Sequence, residues 1–112
     1  MTEKYLVTTQ NIHDKDSNDL AVEIVKIYSF NGSDNAFHPA EEDLELSAMS
    51  VRSENNQILG SFDCITPKHD YLITELIEKY FNKGLDSLTF GKPQLEEMVP
   101  AKERRELLKK YL

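Results

Sequence analysis

The sequence predicts one α+β domain spanning residues 1–112, built on an antiparallel or mixed sheet of about five strands, and three observations carry that expectation. Runs rich in Val, Ile, Leu, Tyr and Thr recur along the chain at strand length. One segment, residues 67–83, repeats its apolar positions every four residues between a helix start and a helix stop signal. The length of 112 residues is close to the commonest domain size and too short for two ordinary cores.

Glu3 to Thr9 (EKYLVTT) reads as an opening strand, and the polar stretch Asn11 to Asp19 as a loop. Leu20 to Phe30 (LAVEIVKIYSF) admits two readings. A strand sets Val22, Ile24, Tyr28 and Phe30 on one face, whereas a helix capped by Asp19 aligns Leu20, Ile24 and Ile27. The β-branched residues Val22, Ile24, Val25 and Ile27, followed by a turn-forming Asn31-Gly32, favour the strand. The sequon Asn31-Gly32-Ser33 is read as part of that turn, because the start of the chain lacks the features of a secretory signal.

Residues 31–43 (NGSDNAFHPAEED) show no periodicity and form a connection long enough to suggest function or disorder. Leu44, Leu46 and Ala48 alternate with polar or small residues, and Ile58, Gly60, Phe62 and Cys64 alternate again beyond Ser53 to Gln57. The pair predicts an antiparallel hairpin, with a bulge where the apolar parity shifts to Met49 and Val51. The helix over 67–83 starts from Thr66 and Pro67, carries Leu72, Leu76 and Tyr80 beside Ile73, Ile77 and Phe81, and stops at Lys83-Gly84. Such a broad apolar face needs a sheet beneath it.

Leu85 to Phe90 then reads as a strand, Gly91-Lys92-Pro93 as a turn, and Gln94 to Met98 as a short helical stretch ended by Val99-Pro100. A terminal helix beginning near Pro100 has the narrow stripe Leu107, Leu108, Tyr111 and Leu112, which places it peripherally, at the edge of the sheet.

Composition limits function. Hydrophobic residues make up 39% and charged residues 29%, which is enough apolar surface to fold. No apolar run approaches the roughly 18 residues of a membrane span, so the expected location is cytoplasmic. The sole cysteine, Cys64, has no partner for an internal disulfide and shares its parity with Ile58 and Phe62, so it is read as a small core residue rather than a nucleophile assisted by His69 or His13. Asp14, Asp16 and Asn18 open with the spacing of a calcium loop, but Asp19 stands where Gly is needed and Val25 where the bidentate Glu is needed. His13, His38 and His69 have no spacing that sets two imidazoles on one helical turn, so no metal and no cofactor is expected. Phosphate-cradling glycine loops and nucleophile elbows are also missing from the sequence.

The charge distribution is more informative than the net −7. Residues 1–98 hold 8 Lys/Arg against 18 Asp/Glu, a net of −10, while residues 99–112 hold 5 against 2, a net of +3. From this asymmetry the leading expectation is a noncatalytic regulatory or accessory protein that binds a basic protein partner through Glu41, Glu42, Asp43 and Glu45, or through a sheet edge. The alternative is an RNA- or DNA-binding regulator that uses Lys102, Arg104, Arg105, Lys109 and Lys110, with Tyr111 available to stack on a base. The plainer reading of that segment is a surface helix supported by Glu106 four residues before Lys110. A metal-dependent enzyme using the three histidines has the least support.

Overall fold

A computed structural model describes residues 2–17, 20–32, 44–63, 70–81 and 85–112. Two long strands, β1 (Thr2–Asp14) and β2 (Leu20–Gly32), form an antiparallel ribbon. They are followed by β3 (Glu45–Ser53), β4 (Ile58–Asp63), helix α1 (Asp70–Phe81), a 3-10 turn at Leu85–Ser87, β5 (Leu88–Phe90), β6 (Gln94–Pro100), a 3-10 turn at Ala101–Glu103 and helix α2 (Arg104–Tyr111). The architecture is α+β. The sheet runs β4-β3-β2-β1-β5, and β6 shares the outer side of β1 with β5. Six strands therefore fill five positions: β5 pairs with Ile12 to Asp14, and β6 with Lys4 to Thr9.

Both faces of the sheet are covered. Ile12, Val22, Ile24, Met49, Val51 and Leu88 form one buried cluster with Ile77 of α1, flanked by Leu59, Phe62 and Leu76. On the other face Tyr5, Val7, Val25, Ile27 and Ala48 bury Leu107 and Tyr111 of α2. This explains why Leu20 to Phe30 satisfied two patterns at once: Val22 and Ile24 serve one core, Val25 and Ile27 the other, so clean alternation is lost. The chain is a strand there, as the β-branched residues favoured.

The hairpin of β3 and β4 forms as expected, and its bulge lies at Ser47, where Ile27 pairs with Ala48 but Tyr28 pairs with Leu46. Its turn depends on Asn56, whose φ of 62° is in the left-handed region that Asn tolerates better than most residues. The Asn56 amide donates to the Ser53 carbonyl, and the Gln57 amide to Ser53 Oγ. Gly60 lets α1 approach β4, since a Cβ there would lie 2.8 Å from Leu76 Cδ2.

Four expectations need correction. The polar stretch from Asn11 is strand as far as Asp14, because β2 on one side and β5 on the other satisfy its backbone while Ile12 is fully buried. Asn31 and Gly32 belong to β2, paired with Glu3 and Thr2, rather than to a turn. Residues 85–90 are strand only from Leu88, after a 3-10 turn. Gln94 to Met98 is strand β6, not helix: the free side of β1 offers a ladder that outweighs a short helical spacing. Within α1 the described stripe residues Leu76 and Ile77 do face the sheet, while Thr66, Pro67, Lys83 and Gly84 lie outside the described residues.

Candidate functional site

The terminal helix is less peripheral than its narrow stripe suggested. It springs from the edge strand β6 and turns back over the sheet, so that Leu107 is 3% and Tyr111 5% exposed. Its end is anchored from two directions. The Tyr111 hydroxyl donates to Glu97 Oε2 at 2.8 Å, and Lys110 Nζ donates to the same oxygen at 2.7 Å. From β3, Arg52 Nη2 donates to the Lys110 carbonyl at 2.9 Å, satisfying a carbonyl that the end of a helix leaves open. The guanidinium carbon also sits 5.6 Å from the Tyr111 ring centroid, and Lys110 Nζ lies 5.2 Å from it. Hydrogen bonds from Lys110, then from Tyr111, hold the Glu97 carboxyl below the usual carboxylate range. Burial, then the bond to Glu97, raises the Tyr111 phenol.

At the start of α2, Arg104 Nη2 contacts Asp63 Oδ1 of β4 at 2.6 Å. The cations proposed for nucleic acid are thus divided. Arg104 and Lys110 are paired with the domain's own carboxylates, and Lys110 reaches Glu97 rather than the expected Glu106. Lys102, Arg105 and Lys109 are exposed on one helical stripe. Counting Glu103, Glu106, Asp63 and Glu97 beside the five cations, the segment's surroundings carry a net +1 instead of +3.

The acidic candidate is only partly described. Glu45 is exposed at the start of β3, and its carbonyl accepts a bond from Ser29 Oγ at 3.4 Å. Glu41, Glu42 and Asp43 lie outside the described residues, as do His38, His69, Cys64 and Asn18. The sheet register adds a carboxylate that sequence spacing did not suggest. Glu3 pairs with Asn31 and Glu45 with Ser29, so the two glutamates flank β2 and line an open polar cleft of about 270 Å³ with Ser29, Phe30 and Asn31.

A second acidic surface lies along the outer side of β6. Glu97, Val99, Glu103, Glu106, Leu107 and Lys110 line a small open cleft of about 60 Å³ between that strand and α2. Glu96 is the extra residue of a bulge beside it, where Val7 pairs with Glu97 but Thr8 pairs with Leu95. No sequence signal marked this surface, because its residues come from two elements that only the fold brings together.

Among the described residues no group of three or more His, Cys, Asp or Glu is placed to hold a metal. His13 pairs with Thr89 of β5, and Asp14 Oδ1 accepts the Asp16 amide at 2.8 Å, which employs part of the calcium-like spacing in a local turn. No described helix is long and apolar enough to cross a membrane. No protein-family model, no curated protein and no solved structure matches this chain.

Proposed function

We propose that this is a noncatalytic regulatory or accessory protein that binds a basic protein partner through its acidic surface. The observation that carries this reading is the unequal use of charge. The basic segment spends Arg104 and Lys110 on intramolecular ion pairs. Glu3, which accepts a 3.3 Å bond from the Tyr5 hydroxyl, and Glu45, which follows the run Glu41-Glu42-Asp43 in sequence, instead line an open cleft without a cation among its described lining residues. A net charge of −7 steers cationic partners toward such a surface and repels phosphate backbones.

The nucleic-acid alternative rests on the stripe of Lys102, Arg105 and Lys109. Three phosphate contacts correspond to a salt slope of about −2.7, and so to binding that weakens roughly 40-fold between 50 and 200 mM salt. Affinity purification of the tagged chain, beside a variant with Glu41, Glu42, Asp43 and Glu45 changed to Lys, tests the two readings. Loss of a basic protein partner in the variant supports the acidic surface. Full retention of that partner overturns it. Co-purifying nucleic acid that disappears when Lys102, Arg105 and Lys109 become Ala favours the alternative instead.

A further inference from the structure

An outermost strand presents every second N–H and C=O to whatever lies beyond it, and among the described strands β6 holds that position beside β1. Its two faces differ in chemistry. On the α2 side lie Glu97, Glu103 and Glu106, with exposed Glu96 at the bulge. On the opposite side the register sets Leu95 against Thr8, Met98 against Leu6 and Phe90 against Ile12, a row in which Leu95 is 53% and Phe90 48% exposed. Large apolar groups so exposed at a sheet edge mark an interaction surface more often than isolated surface leucines do.

We propose that the β6 edge accepts an extended segment of a partner protein as an added strand, with basic side chains alternating with apolar ones. This inference rests on the binding reading above and specifies where the partner sits and what it looks like. A strand laid against β6 sends successive side chains to opposite faces. One set meets the glutamates between β6 and α2, and the other meets Leu95, Met98 and Phe90. A second copy of this chain is a poor occupant of the same edge, because antiparallel self-pairing brings Glu96 and Glu97 of both copies together. Lys110 stays on Glu97, leaving Glu96, Glu103 and Glu106 to meet incoming cations.

The test uses the full chain and two fluorescein-labelled heptapeptides of identical composition, one alternating Lys with Val and Leu, the other with its lysines grouped in a block. The alternating peptide is expected to bind at least tenfold more tightly, with amide chemical-shift changes centred on residues 94–99. The double change Glu103→Gln and Glu106→Gln should weaken it about threefold to tenfold, and both glutamates are exposed enough for the variant to fold. Equal affinity for the two peptides, or shift changes confined to the surroundings of Glu3 and Glu45, overturns the strand-addition inference while leaving an acidic binding surface in place. Absence of binding to either peptide at millimolar concentration overturns both.

Discussion

The bond between Tyr111 and Glu97 gives the sharpest test of how the terminal helix is held. A hydrogen bond to an ionised group contributes roughly 1.5–3 kcal/mol when well shielded. Glu97 retains 27% of its side-chain exposure, so solvent screening reduces the expected value to about 1 kcal/mol. A double-mutant cycle of Tyr111→Phe and Glu97→Ala, followed by urea denaturation, isolates this pair, because the loss of the Lys110 contact cancels between the two arms that carry Glu97→Ala. For a chain of 112 residues the coupling corresponds to a shift in Tm of about 4 °C. Its pH dependence has a definite sign. Lys110 and Tyr111 depress the Glu97 carboxyl from its ordinary 4.5, so the stabilisation is complete above that value and disappears as pH falls through the lower folded-state value. Tyr111 stays protonated over this range, its phenol raised by burial and by Glu97. Coupling below about 0.3 kcal/mol at pH 7, or coupling that grows rather than shrinks on acidification, would falsify the anchoring role.

Three further substitutions probe the fold. Leu107→Ala should cost about 2–4 kcal/mol in urea unfolding with an unchanged slope, since it empties a buried position; a loss under 1 kcal/mol would mean that α2 does not close the second core. Asn56→Gly should be neutral or slightly stabilising and Asn56→Ala should cost about 1 kcal/mol, because the turn holds this residue at positive φ; equal thermal midpoints for the two would refute the turn assignment. Ser50 is fully buried and its hydroxyl has no hydrogen-bond partner among the described residues, so Ser50→Ala should leave stability unchanged or raise it by up to about 1 kcal/mol, and a clear loss in calorimetry would show that the hydroxyl is satisfied in solution.

The parts of the fold legible in the sequence were those written in local patterns. Residues 44–63 announced a bulged hairpin because parity and a polar turn are properties of neighbouring residues, and the spacing of Leu76 and Ile77 announced a sheet-facing helix for the same reason. Gln94 to Met98 was misread because its strand character comes from β1, some ninety residues earlier, which local spacing does not encode. The extent of β1 was underestimated on the same ground: Asn11, His13 and Asp14 are polar, and only neighbours on both sides make them strand. Of the candidate surface, Glu45 was found from its charge run, while Glu3 entered through register alone and the glutamates beside β6 through the return of α2. The basic residues are neighbours in the sequence, but no sequence rule pairs Arg104 with Asp63 or Lys110 with Glu97.

The covering of both faces narrows what the described body can offer a partner. With α1 over one face and α2 over the other, the central side chains of the sheet are committed to the two cores, so recognition falls to edges and strand ends. The two edges are not equivalent. On β4 the edge residues from Ile58 to Asp63 include one charge, and Arg104 neutralises it from within the chain. The other edge gathers Glu96 and Glu97 in its strand and Glu103 and Glu106 from the segment that follows. If β6 accepts a strand as proposed, the carboxylates of Glu96, Glu103 and Glu106, which Lys110 leaves aside by pairing with Glu97, would both deter an identical acidic copy and attract a cationic segment. It follows that neutralising Glu96, Glu103 and Glu106 together should relax both constraints: weaker capture of basic segments and a greater tendency of the chain to pair with itself.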